Sequence, residues 1–248
     1  MVAPQLIWLA ADYHFPSTYS CRLPMSSMVS ALVSPAPGPA TVRLALIRTG
    51  IELFGIEHVR EVLFPHIRSM NVFVRPPEKV ALSIQVLRAY KADESRTSIQ
   101  VNEAPMNREM AHAEGLMTVY IEIPVADVEQ WKALLLAIGY WGQTNSFASC
   151  IDIGHVTPNS DECALPLRRL SRHAILRPFF SCVLSEFRNS NVAWDDVVSL
   201  EGSPGKNPLK LDVYVWPLLL ARHQHSGKLL VRSSFASQAN VGRMEDAR

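Results

Sequence analysis

The stretch SPAPGPATVRLAL, residues 34–46, decides the fold. Pro35, Pro37 and Pro39 each fix φ and remove a backbone donor, so neither a helix nor a central strand runs through them. Gly38 relaxes the backbone between two of them. Thr41 reads as an N-cap, its hydroxyl accepting from an amide of the first helical turn. Val42, Ala45 and Leu46 then fall on one buried face, with Arg43 directed elsewhere. The helix TVRLALIRTGIELFG ends at Gly55, a suitable C-terminal cap. A stiff turn thus brings a helix start, with its unpaired amides, to a fixed place. Helix starts favour anions, phosphate among them. The plainer reading of the same stretch is a tight strand-to-helix connection.

Outward from this point the pattern is mixed. Residues 4–33 read as strand, with a turn near FPSTYS. IEHVREVLFPHIRSM is helical but interrupted by Pro65. NVFVR (71–75) and KVALSIQVLRAYK (79–91) read as two strands joined by a PPE turn. Residues 93–115 are polar and without periodicity, a long excursion between strands that is best read as a projecting hairpin. LMTVYIEIP alternates, with Met117, Val119, Ile121 and Ile123 on one side. Asp127 precedes the helix VEQWKALLLAI, whose apolar face takes Trp131, and NSFASCIDIGHV returns as a strand. Without the excursion this is close to a βαββαβ, ferredoxin-like or RRM-like plan in an α+β protein. The expected division is residues 1–156 as that domain, 157–233 as a smaller, mostly β part, and 234–248 as a frayed tail.

Composition narrows the function. The chain has 248 residues, 48% of them hydrophobic, enough for a substantial core. A net charge of +1 excludes a histone-like, DNA-coating protein and leaves nucleic-acid contact to local patches. Cys21, Cys150, Cys163 and Cys182 are widely spaced and read as buried thiols of a reducing compartment. MVAPQLIWLAADYHF lacks a basic leader, and no apolar run has membrane-spanning length, so a cytoplasmic protein without membrane contact is expected. His223 and His225 form an HxH pair that lacks a third ligand, and no metal or other cofactor is expected.

The order strand, Pro-rich turn, Pro-x-Thr and helix with a small residue at its fifth position, here Pro39, Thr41 and Ala45, resembles the RAMP (repeat-associated mysterious protein) superfamily of CRISPR systems. IGYWGQTNSFASC adds an aromatic, a glycine and a serine (Tyr140 or Trp141, Gly142, Ser146) where the second helix turns into a strand. Within the superfamily the sequence is most similar to the subunit that caps the 5′ handle of crRNA in multi-subunit effector complexes. The likeness spans roughly residues 28–155. The excursion, about residues 93–115, occupies the place of the family's thumb hairpin. Two departures stand out: Ala45 replaces a frequent glycine, and no glycine-rich loop is evident near the C-terminus.

The resemblance implies a non-catalytic crRNA-binding subunit, whose partners are the 5′ handle, a backbone subunit, other effector subunits and target nucleic acid. Thr41 and Arg43 at the helix start, and Arg48 along it, are candidate phosphate contacts. From residue 43 to 91 there are eight basic residues against four acidic ones, and Arg75, Lys79, Arg88 and Lys91 flank the two strands there. Arg96 and Arg108 lie in the excursion. Tyr90, Tyr140 and Trp141 are candidate stacking surfaces, although the plainer reading of Tyr140 and Trp141 is a buried cap over the sheet. Gly142 could let backbone amides approach phosphate, and Ser146 completes the motif. Arg168, Arg169, Arg172 and Arg177 belong to a stretch, 166–188, with five arginines against one glutamate, suited to RNA or a neighbouring subunit.

Two alternatives remain. One is a metal-independent endoribonuclease that processes precursor crRNA with His14, Tyr90 and Lys91; the other is an unrelated α+β protein with no RNA role.

Overall fold

Helix α1 runs from Pro39 to Phe54, and the residues that start and stop it follow local rules. The cap is Gly38 rather than Thr41, and no side chain bonds to the first turn. Pro39 takes the first helical position, where its missing N–H costs nothing, and this moves Thr41 inside the helix. The helix ends at Gly55, whose φ of 83° and N–H to the Ile51 carbonyl close the last turn. In this computed structural model the described residues are 5–26, 30–92, 101–171, 177–198 and 208–236.

Before α1 come β1 (Leu6–His14) and three two-residue strands, β2 (Cys21–Arg22), β3 (Ser30–Ala31) and β4 (Val33–Ser34). After it, α2 (Ile56–His58) passes into a π turn over Val59–Leu63 and then α3 (Phe64–Ile67). The π turn answers Pro65: that residue has no N–H to give and its ring crowds the previous turn. The chain widens just ahead of it, with the Phe64 N–H reaching the Val59 carbonyl. Helical path therefore continues through a proline expected to interrupt it. The remaining elements are β5 (Val72–Arg75), β6 (Lys79–Ala92), β7 (Val101–Glu114), β8 (Met117–Pro124), α4 (Val128–Ala137), β9 (Ser149–Gly154), β10 (Leu165–Pro166), β11 (Phe179–Phe187), α5 (Trp194–Val198), β12 (Leu209–Gln224) and β13 (Gly227–Arg232). The chain is thus an α+β protein, with strands in the majority.

A four-stranded antiparallel sheet has the order β5-β8-β1-β9. Alternation aims Leu9, Ala11 and Tyr13 of β1, and Met117, Val119, Ile121 and Ile123 of β8, into one core with α1 and α4. Tyr13 also donates from its hydroxyl to the Leu135 carbonyl of α4 at 2.6 Å. On the other face Ala10, Tyr120 and Cys163 are buried, with Trp8 and Phe73 half-buried beside them.

A second sheet follows the order β10-β12-β13-β6-β7-β3, and β11 also pairs with β12. Here the structure corrects the sequence reading. β5 and β6 do not form a hairpin: β5 joins β8, while β6 pairs with β7 and β13. Pro76 and Pro77 between them lack the amides that would begin a ladder, and the Pro76 carbonyl accepts from Arg232 Nη1 at 2.8 Å instead. Residues 101–114, expected inside a patternless excursion, form β7. Its pairing with β6 runs from Lys79↔Glu114 to Ala92↔Val101, a long two-stranded ribbon. β13, from the C-terminal part, extends this ribbon through Leu230↔Val80.

Candidate nucleic-acid interface

The start of α1 opens on a cleft of about 300 Å³, lined by Arg22, Gly38, Thr41, Gly142, Gln143 and Ser185 among others. Ala40 and Thr41 stand in the first turn, where amides have no partner within the helix. Gly142 is exposed and has a φ of 73°. A Cβ built on it would lie 3.6 Å from Thr41 Cγ2, an ordinary contact. The proline turn and the IGYWG segment thus meet at one place. Because space is free, a side chain at position 142 costs backbone strain alone. Gly142→Ala is expected to lose about 1–2 kcal/mol, the cost of a left-handed residue, seen as a lower urea midpoint. Cys21 lies at the floor of the cleft, and burial pushes its thiol up to about 12, which keeps it neutral and unreactive.

The other candidates are dispersed. Arg43, expected to face away from the core, is buried. Its Nε donates to the Ile67 carbonyl at 3.1 Å, Nη2 to the Met70 carbonyl at 2.6 Å, and Nη1 meets Glu186 Oε1 at 2.6 Å. Arg48 lies flat on Tyr140, its Cζ 3.5 Å from the ring centroid, with Glu52 at 3.7 Å from Nε. Trp141 is fully buried, edge-on to Tyr13 at 4.9 Å between ring centroids. Ser146 is buried as well and clasps Ser20, accepting from its N–H at 2.9 Å and donating to its carbonyl at 3.2 Å. The surfaces of Trp141 and Ser146 are thus turned inward, the sequence alternative of a cap over the sheet in the case of Trp141.

Arg75 donates to Thr118 Oγ1 at 2.8 Å and approaches Asp12 at 3.9 Å and Glu162 at 3.6 Å. Lys79 pairs with Glu114 at 2.6 Å. Arg88, Tyr90 and Lys91 lie nine to twelve residues further along β6, about 30–40 Å away at the rise of a strand; their side chains are outside the described residues. Arg108 stands opposite Gln85 on β7. Arg96 and Arg172 fall outside the described residues. Arg168 and Arg169 occupy a tight turn after β10, where Arg168 pairs with Asp212 at 2.9 Å. His14 lines a cavity of about 410 Å³ with Lys79 and His112, at the opposite end of β6 from Tyr90 and Lys91. The catalytic grouping of His14 with those two residues is therefore not assembled.

Sequence reading passed over Arg22 and Lys210. Arg22 sits in a two-residue strand with no periodicity to mark it, and Lys210 in a strand whose register only tertiary pairing sets. Among the described residues no three His, Cys, Asp or Glu side chains group to hold a metal ion, and no helix is long and apolar enough to cross a membrane.

Fold and site together define an α+β protein with an open cleft at a helix start and a long β-ribbon. No family model matches the chain. CRISPR-associated protein Cas5 of Archaeoglobus fulgidus is 22% identical over 211 residues, 84% of this chain and 91% of that protein. A crystal structure of a CRISPR protein from Archaeoglobus fulgidus covers 92% of both chains, at 14% identity and a TM-score of 0.49. The sequence likeness supports a Cas5/RAMP-like protein.

Proposed function

We propose that this chain is a non-catalytic, crRNA-binding subunit of a CRISPR effector complex, which holds the 5′ handle and docks on a backbone subunit. The observation that carries the proposal is the likeness to Cas5 along most of both sequences. The reading takes the β5-β8-β1-β9 sheet as ferredoxin-like and the β6–β7 ribbon as the thumb. The α1 cleft adds to it: unpaired amides, a glycine that lets backbone approach, and Arg22 converge there. Ile84 and Val86 on β6 are exposed, the kind of apolar surface that a neighbouring subunit covers.

The test is retention of repeat-derived single-stranded RNA by the purified chain, with sequencing of any RNA and identification of any protein that co-purifies. Each phosphate contact adds about 0.7 to the salt slope on a single strand. Three or four contacts then predict a roughly 20- to 50-fold weakening between 50 and 200 mM salt. Precursor RNA is expected to remain uncut. A chain that elutes free of nucleic acid and shows no salt-sensitive retention would refute the proposal. Cleavage abolished by His14→Ala would favour the processing enzyme instead.

A further inference from the structure

A second cavity, of about 210 Å³, opens beside β5 and α3. Helix α1 turns Thr41 and Leu44 toward the first cleft and Arg43 toward this one. Cations reach it from four separate segments: Arg68 after α3, Arg168 and Arg169 after β10, Arg188 after β11, and Lys210 in β12.

The negative charge nearby is already committed. Glu186, the one carboxylate in the lining, meets Arg43 at 2.6 Å and accepts from the Phe187 N–H at 2.7 Å. Its second oxygen is 3.5 Å from the Tyr214 hydroxyl. Asp212 neutralises Arg168. Arg68 meets the Val192 carbonyl at 3.4 Å and lies over the Phe64 ring at 5.9 Å, with no carboxylate partner among the described residues. Arg169, Arg188 and Lys210 make no ion pair among the described residues. Four cations therefore converge on one concave surface without a carboxylate to balance them. Such a gathering repels itself unless an anion enters. Ser190 brings a neutral hydroxyl to the same wall, whereas the Ser69 hydroxyl already donates to the Pro65 and His66 carbonyls, and guanidinium groups match the paired oxygens of phosphate.

We propose that this cavity is an anion site that takes a phosphate group, separate from the α1 cleft. Its source in the assembly is a phosphodiester of the bound RNA; that assignment rests on the function proposed above, whereas the anion site does not.

The experiment uses the full chain and the double variant Arg169→Gln/Arg188→Gln, with Lys210→Gln as a second, independent variant. All three side chains lie outside the core, so folding is expected to persist, with near-UV circular dichroism as the check. Two probes are applied: inorganic phosphate, by thermal shift against chloride at equal ionic strength, and single-stranded repeat RNA, by filter binding over a range of salt. Expected for RNA is a roughly tenfold weaker association in the double variant and a salt slope lower by about 0.7, the share of one phosphate. Expected for phosphate is a rise in melting temperature that the variants lose.

Weakening of either probe by the variants supports the site. Loss with RNA identifies the phosphodiester as its ligand. Loss with phosphate in a chain that binds no RNA keeps the anion site while the RNA reading fails. Variants that bind both probes as the parent does, or a parent that binds neither, overturn the proposal.

Discussion

Arg43→Ala is expected to lower folding stability by about 3–5 kcal/mol, the usual cost of leaving one partner of a buried pair uncompensated. Glu186 would keep its charge in a half-buried position without the guanidinium at 2.6 Å, and the Ile67 and Met70 carbonyls would lose their donors. Those two carbonyls lie where α3 turns toward β5, so the guanidinium also joins α1 to the start of the four-stranded sheet. Urea denaturation followed by tryptophan fluorescence measures the loss. The double variant Arg43→Met/Glu186→Met is expected to recover part of it, because the stranded carboxylate goes too. At a temperature where Arg43→Ala remains folded, its RNA affinity is expected to change far less than its stability. A large drop in salt slope with unchanged stability would show instead that Arg43 faces phosphate.

Trp141→Ala carries the second large effect, again about 3–5 kcal/mol. The side chain is fully enclosed and packs edge-on against Tyr13, so truncation leaves a void between β1 and the segment after α4. Trp141→Phe is the informative companion. It forfeits volume, yet removes an indole N–H that has no partner among the described residues. Leaving such a group unpaired costs about 1–3 kcal/mol, so the smaller ring regains part of what its lost volume costs. The expectation is a midpoint shift less than half that of Trp141→Ala. A base-stacking tryptophan would behave in the opposite way, with alanine weakening RNA retention and sparing the urea midpoint.

These two residues show where reading along the chain reaches its limit. Arg43 follows an N-terminal proline turn and sits between apolar positions, so spacing alone gives it a direction away from the core. What places it inside is Glu186, 143 residues later, together with two carbonyls freed at the end of α3. For Trp141 the sequence offers both a stacking surface and a buried cap; it and Ser146 become interior because the β1–β2 connection folds over them, and Ser20 makes both bonds to Ser146. Gly142 went the other way. The motif marks it only as a place where backbone can come close to phosphate; its positive φ and its nearness to Thr41 are set by the tertiary structure.

The ribbon is instructive in a different manner. β7 has no apolar period to mark it: its residues include Asn102, Glu103, Asn107, Arg108 and Glu109. It exists because β6 offers a full edge across which each of its residues finds a partner. Pro105 is tolerated within it, opposite Arg88.

The amino-acid sequence by itself determined the end of α1, from a glycine that can turn left, and the inward side of β8, from the alternation of its apolar residues. Caps and alternation act between residues a few positions apart, so they are written locally. Only the tertiary structure decided which sheet received β6, which arginines became internal struts, and which four segments assembled the cationic cavity. Those outcomes depend on partners remote in the chain: a strand edge, a carboxylate or a carbonyl takes the neighbour that buries the most surface with its polar groups satisfied, and no short stretch of sequence contains that neighbour.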